Sequence, residues 1–330
     1  ARTAQAGSSH TEFWYTTAEK LLAPLLFAAV CEQQTISKVV EWIDRQETNA
    51  INTILDRVGI TEARSAWEAT QNHEHRIKSA SYTTLEVVMY AYGDPDVLAL
   101  SQVTDIKPRQ LLDGKPNTLF VVSPSNQQER LRPLFTALIS EVIHTAFQMA
   151  HNSPTGRIDP PLLVILDEAA NIAPLQNLDQ VASMGAGLGI QLVTAFQDLG
   201  QVQQVYGQHR ATTVANNHRA RLLLGGVGDT ATLDYMSALI GDQIIHTTSV
   251  SVDGRGGRST TDNQQLRPLA PSATLRTLPD GQAVCVYGNL PPIRMNLRPW
   301  YKDKTLSQRI NQHQTAPPKA TPIDAAGPVL

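Results

Sequence analysis

The residues best suited to chemistry lie in Leu162-Leu-Val-Ile-Leu-Asp167-Glu168. An uninterrupted apolar run of this length reads as a strand buried on both faces. The carboxyl end of such a strand opens into the crevice where α/β proteins bind ligands. Two adjacent carboxylates at that point are costly to bury without a cation. Asp167 is suited to holding a nucleotide-bound Mg²⁺, through water, and Glu168 to activating the attacking water as general base. The competing reading is a pair that caps the next helix, where carboxylates favour the positive end of the dipole. The following strand, Ile190 to Ala195, ends in Phe196-Gln197-Asp198. An amide at 197 can hold a phosphate oxygen and the lytic water together, or it can be a turn residue. Asn216-Asn-His-Arg219-Ala-Arg221 leads into a third strand. Arg219 and Arg221 flank Ala220 and therefore point to one face. Either guanidinium could reach a neighbouring subunit's γ-phosphate, and either could equally pair with a surface carboxylate.

Other stretches imitate sites. Gly185-Ala-Gly187-Leu-Gly189 resembles a dinucleotide loop but follows a helix and precedes a strand, the reverse of the order a phosphate needs, so it reads as a helix end. Gly225-Gly-Val-Gly228-Asp229-Thr230 has the correct order, yet Asp229 or Thr230 as an N-cap explains it. His73-Glu-His75 has no further ligands at metal spacing and reads as a solvated face. Gly114-Lys115-Pro116 is a turn, since Pro116 stands where a hydroxyl is required. Arg255 and Arg258 sit in a polar loop, Asp253 to Gln265. Such a loop makes a weak DNA contact or a plain hairpin tip.

The elements that must position these residues fall into two kinds. From Phe13 to about Tyr92 the apolar residues recur at helical spacing, with Thr35 as an N-cap and Gly59 as a stop. Beyond 105 the pattern alternates. Thr118-Leu-Phe-Val-Val122 reads as a strand, Leu131 to Met149 as a helix, and Leu162–Leu166, Ile190–Ala195 and Ala220–Leu224 as strands separated by helices. A final helix is predicted over 230–240 and β runs over 243–252 and 282–287. Such alternation predicts a parallel sheet with helices on both faces, the last two runs extending it or pairing at its edge. The expected divisions are 1–14, a linker or remnant of a nucleotide-binding core; 15–105, all-helical; 106–306, α/β; and 307–330, a disordered tail rich in Gln, Ala, Pro and Thr.

Composition excludes several classes. Hydrophobic residues make up 42% of 330, enough for a sizeable core, and a net charge of −3 excludes a basic nucleic-acid wrapper. No stretch approaches the ~18 apolar residues that cross a bilayer. Cys31 and Cys285 fit neither a disulfide framework nor a zinc knuckle, and read as buried thiols in a reducing compartment. The chain starts Ala-Arg-Thr, as a piece of a longer protein would.

Nowhere is there a Gly-x-x-x-x-Gly-Lys-Ser/Thr loop. A Walker-B strand without Walker A implies either an ATPase lacking its first strand or an inactive relative. The sequence resembles the TraG/TraD family of type IV secretion coupling proteins, inner-membrane ATPases of bacterial conjugation. The resemblance runs through Phe13-Trp14, Thr118-Leu-Phe-Val-Val-Ser-Pro, Leu162 to Ala169 and Phe196-Gln197-Asp198. It continues in Ser237-Ala-Leu-Ile-Gly241, Leu278-Pro-Asp-Gly281 and the closing Pro299-Trp-Tyr-Lys-Asp303. It implies a partial RecA-like P-loop NTPase core with an all-α inserted domain, the P-loop lying upstream of Phe13. It implies ATP and Mg²⁺ as cofactors, with Asp167 serving the metal, Glu168 the water, Gln197 the γ-phosphate, and Arg219 or Arg221 acting in trans. Single-stranded DNA, a relaxase, a TraM-like accessory protein recognised within about 160–306, and the secretion channel are the implied partners. A homo-hexamer at the cytoplasmic face of the inner membrane is the implied assembly. A non-catalytic module that binds relaxosome proteins and a DNA translocase of the FtsK or HerA type are the alternatives. The 330-residue chain by itself is expected to show negligible ATPase activity; turnover that Glu168→Gln abolishes would overturn this.

Overall fold

The structure is a computed structural model that describes residues 9–104, 106–252, 254 and 258–314. The chain divides into two compact units, one ending at His218 and the other starting at Arg219.

The first unit opens with five helices: α1 (Ser9–Cys31), α2 (Ile36–Asp44), α3 (Asn49–Val58), α4 (Thr61–Gln71) and α5 (His75–Val88). Their apolar stripes meet in one cluster built on Leu21, Leu25, Val39, Ile43, Ile51, Leu55, Trp67, Tyr82 and Leu85. Gly59 ends α3 in a left-handed conformation, as its position in the pattern predicts. Thr35 precedes α2 without a side-chain cap bond, and α1 starts at Ser9, within the 1–14 stretch expected as a linker or remnant. Two short helices, α6 (Pro95–Leu100) and α7 (Pro108–Leu111), lead to the long α8 (Gln128–His151). Asp94 caps α6 by accepting from the amides of Asp96 and Val97, and its carboxylate also meets Arg130 at 2.6 Å. The Asp96 amide, and after it the Arg130 guanidinium, hold that carboxyl below its ordinary pKa.

The α/β part of this unit runs β1 (Leu162–Leu166), α9 (Ala169–Ile172), α10 (Leu178–Leu188), β2 (Ile190–Thr194), α11 (Leu199–Tyr206) and α12 (Gln208–Asn217). β1 and β2 pair in parallel, Leu162 opposite Ile190 and Leu166 opposite Thr194. Gly189 closes α10 with φ 84°; a Cβ there would lie 2.5 Å from the Ile158 carbonyl oxygen, so only glycine lets the helix end that close to the start of β1. Val164, Leu166 and Ile190 pack with Ile143 and Ala146 of α8, Val181 of α10 and Val214 of α12.

Two expectations fail here. β1 is covered on one face only: Leu163 and Ile165 are 54% and 64% exposed, and Val193 beside them is 50% exposed. Alternation along a strand sends these residues away from the helices, and no second helical layer covers them among the described residues. Thr118–Val122 pairs with no strand among the described residues, and Phe120 and Val122 are both 81% exposed; β propensity alone does not make a ladder. The asymmetry of β1 sets a contrast. Leu166→Ala should cost about 2–4 kcal/mol, as a buried large-to-small change, whereas Ile165→Thr one position earlier should stay within about 0.5 kcal/mol. Urea unfolding of the two variants checks this.

The second unit contains β3 (Ala220–Leu224), α13 (Thr230–Ile240), β4 (Asp242–Val252), β5 (Arg258–Pro268), α14 (Ser272–Arg276), β6 (Gln282–Tyr287), β7 (Ile293–Asn296) and α15 (Lys304–Gln314). β3, β6 and β7 form an antiparallel sheet in that order, packed with α13 and α14 around Leu223, Leu233, Met236, Leu275 and Val284. Asp229 caps α13 by accepting from the Thr232 amide at 2.8 Å, the role read from its position. The predicted single parallel sheet is therefore corrected: among the described residues only β1 and β2 pair in parallel, and β6 joins β3 antiparallel. The stretch from Arg258 to Gln265 is strand rather than loop, paired along its length with β4; its Ser, Thr, Asp, Asn and Gln side chains conceal it because neither face needs to be apolar. Residues 307–314 are helical where composition suggested disorder; the rest of the expected tail, and Arg255, lie outside the described residues. Cys285 is buried, but Cys31 is only half-buried, contrary to expectation. Among the described residues no helix is long and apolar enough to cross a membrane.

Candidate nucleotide site at the ends of two parallel strands

Asp167 and Glu168 leave the carboxyl end of β1 beside the end of β2. The two strand tips are stitched together beyond the ladder: the Ala195 amide donates to the Leu166 carbonyl at 2.9 Å, and the Ala169 amide to the Ala195 carbonyl at 3.1 Å. Those bonds bracket the two carboxylates and place them next to the turn Phe196-Gln197-Asp198. Asp167 and Gln197 are exposed and Glu168 is half-buried. Asp198 caps α11 by accepting from the Gln201 amide at 2.7 Å, and the Gln201 side chain accepts from the Gln197 amide at 3.0 Å. The turn carrying Gln197 is thus fixed by its own neighbours.

Glu168 adopts φ 52° and ψ 49°, a left-handed conformation rare for a residue with a Cβ. It permits the sharp change of direction from β1 into α9, whose last two amides, Asn171 and Ile172, donate to the Glu168 carbonyl. Backbone strain of this kind costs on the order of 1–2 kcal/mol and tends to be kept where the side chain has a task. Glu168→Gly should therefore leave the chain about 1 kcal/mol more stable in urea unfolding, and Glu168→Val should lower stability by a similar amount. Arg132 of α8 donates from Nε to the Asn171 carbonyl at 2.7 Å and holds α9 in place; an arginine one turn before a long apolar stretch offers no sequence signal for that role.

Oxygen donors at a strand end suit a hard cation such as Mg²⁺, which takes one or two carboxylates and fills its remaining positions with water and phosphate. The donor set therefore fits the group expected there. The arginines lie in the second unit. The Arg219 guanidinium lies 5.4 Å from the centre of the Tyr287 ring, and its carbonyl accepts from Gly288. Arg221 is half-buried, opposite Val286 on β6. Arg258 is exposed at the start of β5.

This arrangement makes the fold α/β, with an all-helical stretch preceding the strands. Among solved structures, the trigonal form of the bacterial conjugative coupling protein TrwBdeltaN70 in complex with sulphate superposes with a TM-score of 0.68 at 21% identity, covering 88% of this chain and 65% of that one. The plasmid coupling protein TrwB in complex with ADP and Mg²⁺ gives 0.64 at 19% identity, covering 88% and 64%. The chain belongs to the type IV secretory system conjugative DNA transfer family, whose profile matches residues 1–322. The conjugal transfer protein TraG of Rhizobium radiobacter is 32% identical over 232 residues, 68% of this chain and 34% of that protein. The chain thus spans about a third of the length of that relative.

Proposed function

We propose that this chain is the Walker-B half of a conjugative coupling ATPase, a motor that uses ATP to drive single-stranded DNA from the relaxosome into a type IV secretion channel. The observation that supports this most is the stitched pair of strand tips, which sets Asp167 and Glu168 beside the turn of Gln197. Mg²⁺ bound with ATP would neutralise developing charge on the phosphates. Asp167 would hold that metal, through water. Glu168, half-buried at the same strand end, accepts a proton from the attacking water. Gln197 orients that water and reads the γ-phosphate through its amide. Arg219 or Arg221 serves the neighbouring subunit's nucleotide in a homo-hexamer at the cytoplasmic face of the inner membrane. A TraM-like accessory protein docks on the stretch from about 160 to 306, a relaxase is a further partner, and Arg255 and Arg258 add a weak contact to DNA.

The test uses the full-length protein cloned with its upstream sequence. ATP hydrolysis stimulated by single-stranded DNA, together with a Gly-x-x-x-x-Gly-Lys-Ser/Thr loop before Ala1, is the expected result. A full-length protein without that loop and without turnover would overturn the motor and leave an adaptor.

A further inference from the structure

His218 is the last residue of the first unit, and its ring is held on both sides. Nδ1 lies 2.7 Å from the Val214 carbonyl of α12, and Nε2 lies 3.1 Å from Thr194 Oγ1. A carbonyl oxygen only accepts, so Nδ1 carries the proton. In the neutral ring Nε2 is then an acceptor, and the Thr194 hydroxyl donates to it. Thr194 is the last residue of β2, directly opposite Leu166, in the ladder that ends at the two carboxylates and at Gln197. The half-buried imidazole therefore fastens the end of α12 to the tip of that strand.

The next residue belongs to the second unit and is fastened there. The Arg219 carbonyl accepts from the Gly288 amide at 2.9 Å, and its guanidinium lies over Tyr287. One peptide link thus joins a residue tied to β2 to a residue tied to the end of β6.

We propose that His218 is a positioning residue that transmits the state of the Asp167–Glu168–Gln197 site to the Arg219 strand through Thr194. This rests on the motor reading given above and adds a route by which nucleotide occupancy controls the second unit. A threonine hydroxyl and a histidine nitrogen are not needed merely to pack two half-buried positions; valine and leucine would fill them.

A double-mutant cycle in the full-length protein tests it, with Thr194→Val, His218→Leu, their combination, and His218→Gln, whose side-chain oxygen can still accept from Thr194. Stimulation of hydrolysis by DNA is the readout, with nucleotide affinity and Tm as controls. Each single variant should lose about tenfold of the stimulation, the double should lose about the same tenfold, and His218→Gln should recover most of it. Losses that multiply to about a hundredfold, or no loss at all, would overturn the proposal. A second measurement keeps the clamp separable from the motor. In the 330-residue chain, Thr194→Val should raise hydrogen exchange at the Gly288 amide about tenfold without changing Tm. If the wild-type protein hydrolyses no ATP, the motor reading falls, and unchanged exchange at Gly288 in Thr194→Val shows that the clamp fails as well; raised exchange upholds the clamp alone.

Discussion

Replacing Glu168 by glutamine in the full-length protein is expected to lower steady-state ATP hydrolysis by about a thousandfold while leaving ATP binding within a few-fold of wild type. The substitution keeps size and hydrogen-bonding reach but removes the group that can accept a proton, and general-base catalysis is worth roughly 10²–10⁴ in rate. The left-handed backbone at 168 is no less accessible to Gln than to Glu, so the fold should survive. Asp167→Asn should behave differently, weakening Mg²⁺-dependent nucleotide binding first. Coupled-enzyme ATPase assays and titration with a fluorescent nucleotide separate the two effects. Hydrolysis by Glu168→Gln at even a tenth of the wild-type rate would move the general base elsewhere.

The largest structural effect is expected at Trp67. Its side chain is fully buried in the helical cluster, and its indole Nε1 donates to Asn52 Oδ1 at 2.8 Å. Trp67→Ala removes both the packing and the donor and should cost about 3–5 kcal/mol. That is a large share of the roughly 5–15 kcal/mol that holds a domain folded. Trp67→Phe keeps much of the packing and should cost about half as much. Urea unfolding followed by far-UV circular dichroism distinguishes them: the alanine variant should lose helical signal in a separate early transition, and the phenylalanine variant should not.

Much of this molecule is legible in its sequence because burial imposes a period. The helices from Phe13 to Tyr92 and the helix Thr230–Ile240 follow their apolar repeats, and β1, β2, β3 and β6 are short, largely apolar runs. What periodicity does not carry is partnership. Thr118–Val122 has the composition of a strand and no ladder among the described residues, while β5, rich in Ser, Thr and Gln, has a full one. The apolar run of β1 also suggests two covered faces, because a side chain's type does not record whether a second layer lies over it; Leu163 and Ile165 are the exposed remainder. At the candidate site, Asp167, Glu168 and Gln197 draw notice in the sequence because each lies just past the end of a largely apolar strand. Thr194 and His218 are not, since their meaning comes from a bond between positions 24 apart in sequence.

The β4–β5 ribbon has a different lesson. Its strands run eleven residues each, about 37 Å at the usual rise, and none of its described residues belongs to any of the three apolar clusters. Removing one cross-strand pair turns every more distal side chain over to the opposite face. In a ribbon with neither face committed to a core, that inversion forfeits no burial. This arm can accordingly lengthen or shorten a rung at a time over evolutionary time, so its reach is free to drift while the body beneath it stays constant.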